Sequence, residues 1–213
     1  MTRSRGIAGL VLAGGRATRF GGGDKPLRLL ARKTMLAHVL DRLEPQVAPL
    51  AISANGDPAR FAQYGLPVLA DDGAGRQTGP LAGILSGMAW AAAETGCARV
   101  LTVAGDTPFF PRNLAARLSQ AVAGLPGNIA VAASGGRRHP VFALWPVSLA
   151  TDLRDFLAGG ANFSVAAFLD KHQTVSVDFP MGEVKGARLD PFFNVNTPED
   201  LAEAEAIVLG GKP

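Results

Sequence analysis

The chain has 213 residues, of which 47% are hydrophobic and 18% charged, with a formal net charge of +3. That is enough chain for one substantial core, and it is the composition of an ordinary globular protein rather than a disordered one. There is no long basic run to suggest nucleic-acid binding, no stretch of roughly 20 mainly apolar residues to cross a membrane, and only Cys97, so no internal disulfide; a soluble cytoplasmic protein is expected.

Arg3 and Arg5 precede an apolar run, Ile7 to Ala13, that is too short for the core of a signal peptide and reads as a buried strand. The run ends in Gly14 and Gly15. The stretch Val11 to Leu27, V-L-A-G-G-R-A-T-R-F-G-G-G-D-K-P-L, then places five glycines with Arg16, Arg19 and Lys25. Glycines let backbone N–H groups approach an anion closely, and the cations add charge, so the composition is that of a phosphate cradle. A solvated surface loop is the alternative. A P-loop is excluded, because Lys25 is followed by Pro26 rather than Ser or Thr. A G-x-G-x-x-G dinucleotide fingerprint is excluded too, because Pro26 stands where Gly21 and Gly23 would need a third glycine.

Thr34 is placed to cap a helix through about Leu43, with Met35, Leu36, Val39, Leu40 and Leu43 at helical spacing. A strand is expected at Leu50 to Ala54, a turn at Asn55-Gly56-Asp57-Pro58, a short helix at Ala59 to Tyr64 and a strand at Val68 to Ala70. Gly79-Pro80 opens a helix through about Glu94, with proline in the first turn where a missing N–H costs nothing. Further strands are expected at Arg99 to Ala104, Ile129 to Ala133, Val141 to Trp145 and Thr174 to Val177. Helices are expected at Asn113 to Val122, Val147 to Leu157, Val165 to Lys171 and from the Thr197 cap to about Leu209. Strands alternating with helices imply an α/β fold with a mainly parallel sheet covered on both faces, and ligands in such sheets sit beyond the carboxyl ends of the strands.

Those strand ends deliver Gly14 and Gly15, Asn55, Asp71 and Asp106 toward one crevice. Asp106 follows V-L-T-V-A-G and precedes Thr107-Pro108. A carboxylate on a rigid strand suits Mg²⁺, which takes one or two carboxylates plus substrate phosphates; a turn cap is the alternative. Asp71 and Asp72 follow Val68-Leu69-Ala70, and a carboxylate there can accept paired bonds from guanine N1–H and its exocyclic amine; a solvated turn is the alternative, and the reading preferred for Asp72. Asn55 serves a base, a ribose or simply its turn. The three histidines, His38, His139 and His172, are widely spaced and support no histidine-based metal site. In an extended segment Asn194 and Asn196 point to the same side while Val195 packs away.

The loop resembles the signature L-A-G-G/A-x-x-x-R-x-G-x-x-K of nucleotidyltransferases with a Rossmann-like core, through Leu12, Ala13, Gly14, Gly15, Arg19, Gly21 and Lys25. The G-G-x-D-K form is similar to that of the molybdenum cofactor guanylyltransferases of the MobA type. So are Asp106-Thr107-Pro108, Gly79-Pro80-Leu81-Ala82-Gly83, His139-Pro140 and Asn194-Val195-Asn196-Thr197-Pro198-Glu199-Asp200. Ser53 departs from the family pattern, which has an amide there. The resemblance implies one three-layer nucleotidyltransferase domain over 1–213, with a nucleotide-binding half to about residue 110 and an acceptor-binding half beyond it.

It also implies transfer of GMP from Mg·GTP to molybdopterin carrying molybdenum, with release of pyrophosphate. Arg19, Lys25 and Asp106 would be catalytic, and Asp106 would hold the metal. Leu12, Ala13, Gly14, Gly15, Lys25, Asn55, Asp71 and Asp106 would bind the nucleotide; Gly79, Pro80, His139, Asn194 and Asn196 would bind substrate. Partners beyond the substrates would be other cofactor-biosynthesis proteins or recipient molybdoenzymes. The cytidylyl version of the same chemistry, sugar-phosphate nucleotidyl transfer and a non-catalytic GTP-binding module are the competing readings.

Overall fold

The computed structural model describes residues 6–14, 24–71, 79–160, 163–184 and 187–210. Gly15, Arg16, Arg19, Gly21 and Asp72 lie outside the described residues. The chain runs β1 (Ile7–Leu12), β2 (Leu29–Leu30), β3 (Lys33–Thr34), α1 (Met35–Leu43), β4 (Leu50–Ser53), β5 (Val68–Leu69), α2 (Pro80–Trp90), β6 (Arg99–Ala104), α3 (Leu114–Ala121) and β7 (Ile129–Ser134). It continues through β8 (Arg137–Pro146), α4 (Ala150–Ala158), α5 (Val165–Leu169), β9 (Thr174–Asp178), β10 (Gly182–Val184), β11 (Ala187–Leu189) and α6 (Pro198–Gly210).

Seven strands form one sheet in the order β5-β4-β1-β6-β8-β7-β9. All its strands run parallel except β8, which is antiparallel to both β6 and β7. The alternation of side chains along β1 explains how one strand serves two faces. Ile7 and Val11 join α1 and α3 on one side, in a core that includes Leu36, Val39, Leu43, Leu114 and Leu118. Ala8 and Leu10 join α2, α4 and α5 on the other, with Leu81, Ile84, Met88, Leu153 and Phe168. Among the described residues no helix is long and apolar enough to cross a membrane.

The helix starts follow the expected chemistry. Thr34 Oγ1 accepts from the Ala37 N–H at 3.1 Å, capping α1. At α6 the cap is reciprocal: Asp200 N–H donates to Thr197 Oγ1 at 3.1 Å, while Asp200 Oδ2 accepts from the N–H groups of Thr197 and Asn196 at 2.9 and 2.7 Å. Asn113 precedes α3 but makes no side-chain cap bond. The helix opened by Pro80 ends its α-helical part at Trp90 and continues as a wider π turn, Ala91–Thr95. The β2–β3 and β10–β11 hairpins have no counterpart in the sequence expectations.

Candidate active site

β1 pairs with β4 on one side and β6 on the other, so the chain reverses its order of strand addition between β1 and β6. A parallel α/β sheet opens a crevice at such a point. Two close backbone approaches shape its floor. Gly105 N–H donates to Leu12 O at 3.0 Å, and a Cβ at Gly105 would stand 3.2 Å from Pro26. A side chain at position 105 would press on Pro26, which lies within the single helical turn Lys25–Leu27 that sets Lys25 beside Asp106.

Lys25 Nζ lies 2.5 Å from Asp106 Oδ2 and 2.6 Å from Asn196 Oδ1. The Lys25 and Asp106 side chains are 12% and 20% exposed, open enough to meet a ligand yet held by their neighbours. Asn196 reaches them because the Val195 N–H donates to Asp106 O at 3.0 Å, stitching the C-terminal segment to the end of β6. Val195 is fully buried, Asn196 is half-buried and Asn194 is exposed, as the alternation of an extended segment expects. Asn196 Nδ2 donates to Asn194 O at 3.2 Å, closing this turn on itself.

A second group lies beyond β4 and β5. Asn55 Nδ2 donates to Asp71 Oδ2 at 2.7 Å, and the Asp71 N–H donates back to Asn55 Oδ1 at 2.9 Å. Ser53 Oγ donates to Asp71 Oδ1 at 3.3 Å. The carboxylate is thereby fixed in plane, and each oxygen keeps a further lone pair for a donor in the crevice. A Cβ at Gly83 would collide with Ser53 Oγ and come within 3.2 Å of Asp71 Oδ1 and Leu12 Cδ2. The first turn of α2 thus approaches this clamp closely because position 83 lacks a side chain. Gly79, with φ +58°, turns the chain into Pro80 and α2; both residues are exposed. Arg60 links the two groups, ion-pairing through Nε with Asp24 Oδ2 at 3.0 Å and donating through Nη2 to Asn55 O.

His139 is turned into the protein. Its residue exposure is only 5%, with Nε2 2.7 Å from Ser134 Oγ and the ring stacked on Phe192 at 4.4 Å between centroids. The cause is an irregularity in β8: Val131 pairs with Ala143, but the next residue, Ala132, pairs with His139. Pro140, which has no N–H to donate, sits in the resulting bulge, and the free carbonyl of Val141 accepts from Thr102 Oγ1 at 2.7 Å. Burial holds the His139 imidazole below its ordinary 6.5; Asp190 opposes the shift and Arg137 adds to it. Ser134 and Asp190 were not singled out from sequence. Asp190-Pro191 just before the asparagine segment is the turn signal that marks one of them.

A model of the MobA-like NTP transferase domain matches residues 9–175. The chain belongs to the MobA-like NTP transferase family. A molybdenum cofactor guanylyltransferase of Mesorhizobium japonicum is 53% identical over 204 residues, covering 96% of this chain and 97% of its own length. One from a Bradyrhizobium species is 51% identical, covering 94% and 92%. Among solved structures, molybdopterin-guanine dinucleotide biosynthesis protein A of Archaeoglobus fulgidus superposes with a TM-score of 0.72 at 21% identity, covering 95% of this chain and 98% of that one. This likeness bears out the expected three-layer, Rossmann-like nucleotidyltransferase fold.

Proposed function

We propose that this chain transfers GMP from Mg·GTP to the terminal phosphate of molybdopterin carrying molybdenum, giving the guanine dinucleotide form of the cofactor and pyrophosphate. The observation that carries the reading is the meeting of Lys25, Asp106 and Asn196 at the strand-order reversal, with the Asp71–Asn55 clamp beside it. A cation, a hard anionic ligand and an amide converge there from three distant parts of the chain. Relatives about half identical over nearly the full length carry the guanylyltransferase name.

In the transfer, an oxygen of the acceptor phosphate bonds to the α-phosphorus of GTP, and the α–β anhydride breaks with its electrons leaving on pyrophosphate. The nucleophile arrives ionised, so the protein contributes position and charge rather than a nucleophile or base of its own. Lys25 faces the triphosphate as a point charge, joined on sequence grounds by Arg19 and the backbone of Gly14 and Gly15. Leu12 and Ala13, at the end of β1, line the floor beneath the nucleotide. Asp71, held by Asn55 and Ser53, accepts from the guanine edge. Gly79 and Pro80, with Asn194 and Asn196, border the acceptor side.

Asp106 fits Mg²⁺. It offers one carboxylate, with Asn196 Oδ1 and Thr107 Oγ1 nearby, and among the described residues no group of three or more His, Cys, Asp or Glu forms a complete cage. A cation taking its remaining ligands from phosphates and water matches that donor set. Mg²⁺ bound there would neutralise charge developing on the phosphates. GTP, Mg²⁺ and molybdopterin together should release pyrophosphate, with CTP in a parallel reaction releasing little. Equal or faster release with CTP would replace guanylyl by cytidylyl transfer, and release with neither would remove the catalytic reading.

A further inference from the structure

The segment carrying Asn194 and Asn196 has no regular structure between β11 and α6, yet it must present an amide to Lys25 at 2.6 Å. Its far end is fixed by the reciprocal cap of α6. Its near end is fixed by Asp190, whose Oδ1 accepts from the Phe192 N–H at 2.9 Å and from Ser134 Oγ at 2.8 Å. Ser134 has one hydroxyl proton. Because that proton goes to Asp190, the bond between Ser134 Oγ and His139 Nε2 needs the imidazole to be the donor, which fixes the Nε2–H tautomer.

His139 also stacks on Phe192, and Phe192 meets Phe142 at 4.9 Å and Phe179 at 5.6 Å. The start of the segment is therefore held by two directed bonds to Asp190 Oδ1, from Ser134 and from the Phe192 N–H, and by the His139 ring stacked on Phe192; the serine and the ring both belong to the β7–β8 hairpin. The hairpin reaches this point because β8 is antiparallel, so its first residues lie at the same sheet edge as the end of β6.

We infer that Ser134, His139 and Asp190 form a positioning device that holds the Asp190–Asn196 segment, and through it Asn196, in register with Lys25 and Asp106. The three do not form a nucleophilic triad, since the serine lies between the other two and His139 Nε2 is 3.9 Å from Asp190 Oδ2. They act through the segment, so they govern the transfer step more than the affinity for GTP. This rests on the guanylyl-transfer reading for its kinetic consequence and not for its structural one.

The test compares wild type with Ser134→Ala, Asp190→Ala and Asp190→Asn, the last keeping an oxygen that accepts from both Ser134 and the Phe192 N–H. In the protein without ligands, amide hydrogen exchange across residues 192–196 should accelerate by roughly tenfold in the two alanine variants and recover most of its protection in Asp190→Asn, while β1 and β6 stay unchanged. In the pyrophosphate assay the alanine variants should lose about 10- to 100-fold in kcat, with the KM for GTP held within about twofold. Unchanged exchange at 192–196 overturns the inference, as does acceleration spread over β1 and β6, or Asp190→Asn behaving like Asp190→Ala. If wild type releases no pyrophosphate, guanylyl transfer fails as a reading while the exchange result still decides the positioning role.

Discussion

Asp106 is the residue on which turnover should depend most. Replacing it by Asn keeps the shape but removes the negative charge that faces Lys25 and would hold the metal, so pyrophosphate release by Asp106→Asn should fall by about 10³-fold or more. Activity near wild type would show that the metal is held elsewhere. Asp106 was legible in the sequence because one apolar strand ending in a carboxylate is a local pattern. Ser134 and Asp190 were not, because their meaning comes from meeting across 56 positions, and neither has a local signature beyond a turn. His139 stands out in the sequence beside Pro140, but nothing local reveals that a bulge accompanies its burial. Its burial has a measurable consequence. The unfolded chain takes up a proton near pH 6.5 where the folded chain does not, because folding lowers this pKa. The contribution of His139 to stability is therefore complete above about pH 6.5 and is lost as the pH falls through the folded value. His139→Gln removes that titration, so the stability advantage of wild type over the variant should shrink between about pH 7.5 and pH 5 in paired denaturant titrations. An advantage that grows toward acid would mean that Asp190 outweighs burial.

At the scale of elements, helix starts and parallel strands were the legible part. Thr34, Pro80 and Thr197 each stand where α1, α2 and α6 begin, and Arg99–Ala104 is a strand over the residues its β-rich composition marks. The β2–β3 hairpin has strands of two residues each and β10–β11 of three, too short to carry any period in the sequence. The strand expected at Val141 to Trp145 extends back to Arg137, because pairing with β7 resumes beyond the bulge despite Pro140. The threonine start of α6 is legible in the sequence; the structure adds that Asp200 accepts two bonds from the backbone, one of them from the Asn196 N–H. Asp200→Ala should therefore do more than fray a helix. A stability loss of about 1 kcal/mol is expected for the cap, lowering Tm by roughly 2–4 °C for a chain of this size. A drop in kcat beyond what Thr197→Ala produces should accompany it, because the Asn196 N–H loses its acceptor while Thr197→Ala leaves that bond in place. Equal kinetic effects of the two variants would reduce Asp200 to a helix cap.

At the scale of the whole molecule, the two halves of the sheet carry different parts of the site. β1, β4, β5 and β6 supply the floor, the Asp71–Asn55 clamp and Asp106, and the β7–β8 hairpin supports the segment that brings Asn196 across to them. Lys25 is the junction, since it touches the end of β6 and the C-terminal segment at once. A nucleotide that engages Lys25 and Asp71 together binds only the folded chain, so it must raise the unfolding temperature by mass action. At a free concentration of 100 times Kd the gain is about 2.7 kcal/mol, equivalent to roughly 5–10 °C for a chain of this size. The shift should be largest with GTP and Mg²⁺ and much smaller with ATP or CTP at the same concentration, because those bases lack the paired donors that Asp71 would accept. In Asp71→Ala the GTP shift should fall toward that of ATP, while Lys25→Ala should lower the shift for every triphosphate alike. Asp71 would then act on the base and Lys25 on the phosphates, a division that neither variant alone establishes. Equal shifts for all nucleotides in wild type would leave triphosphate binding intact and remove Asp71 from base selection.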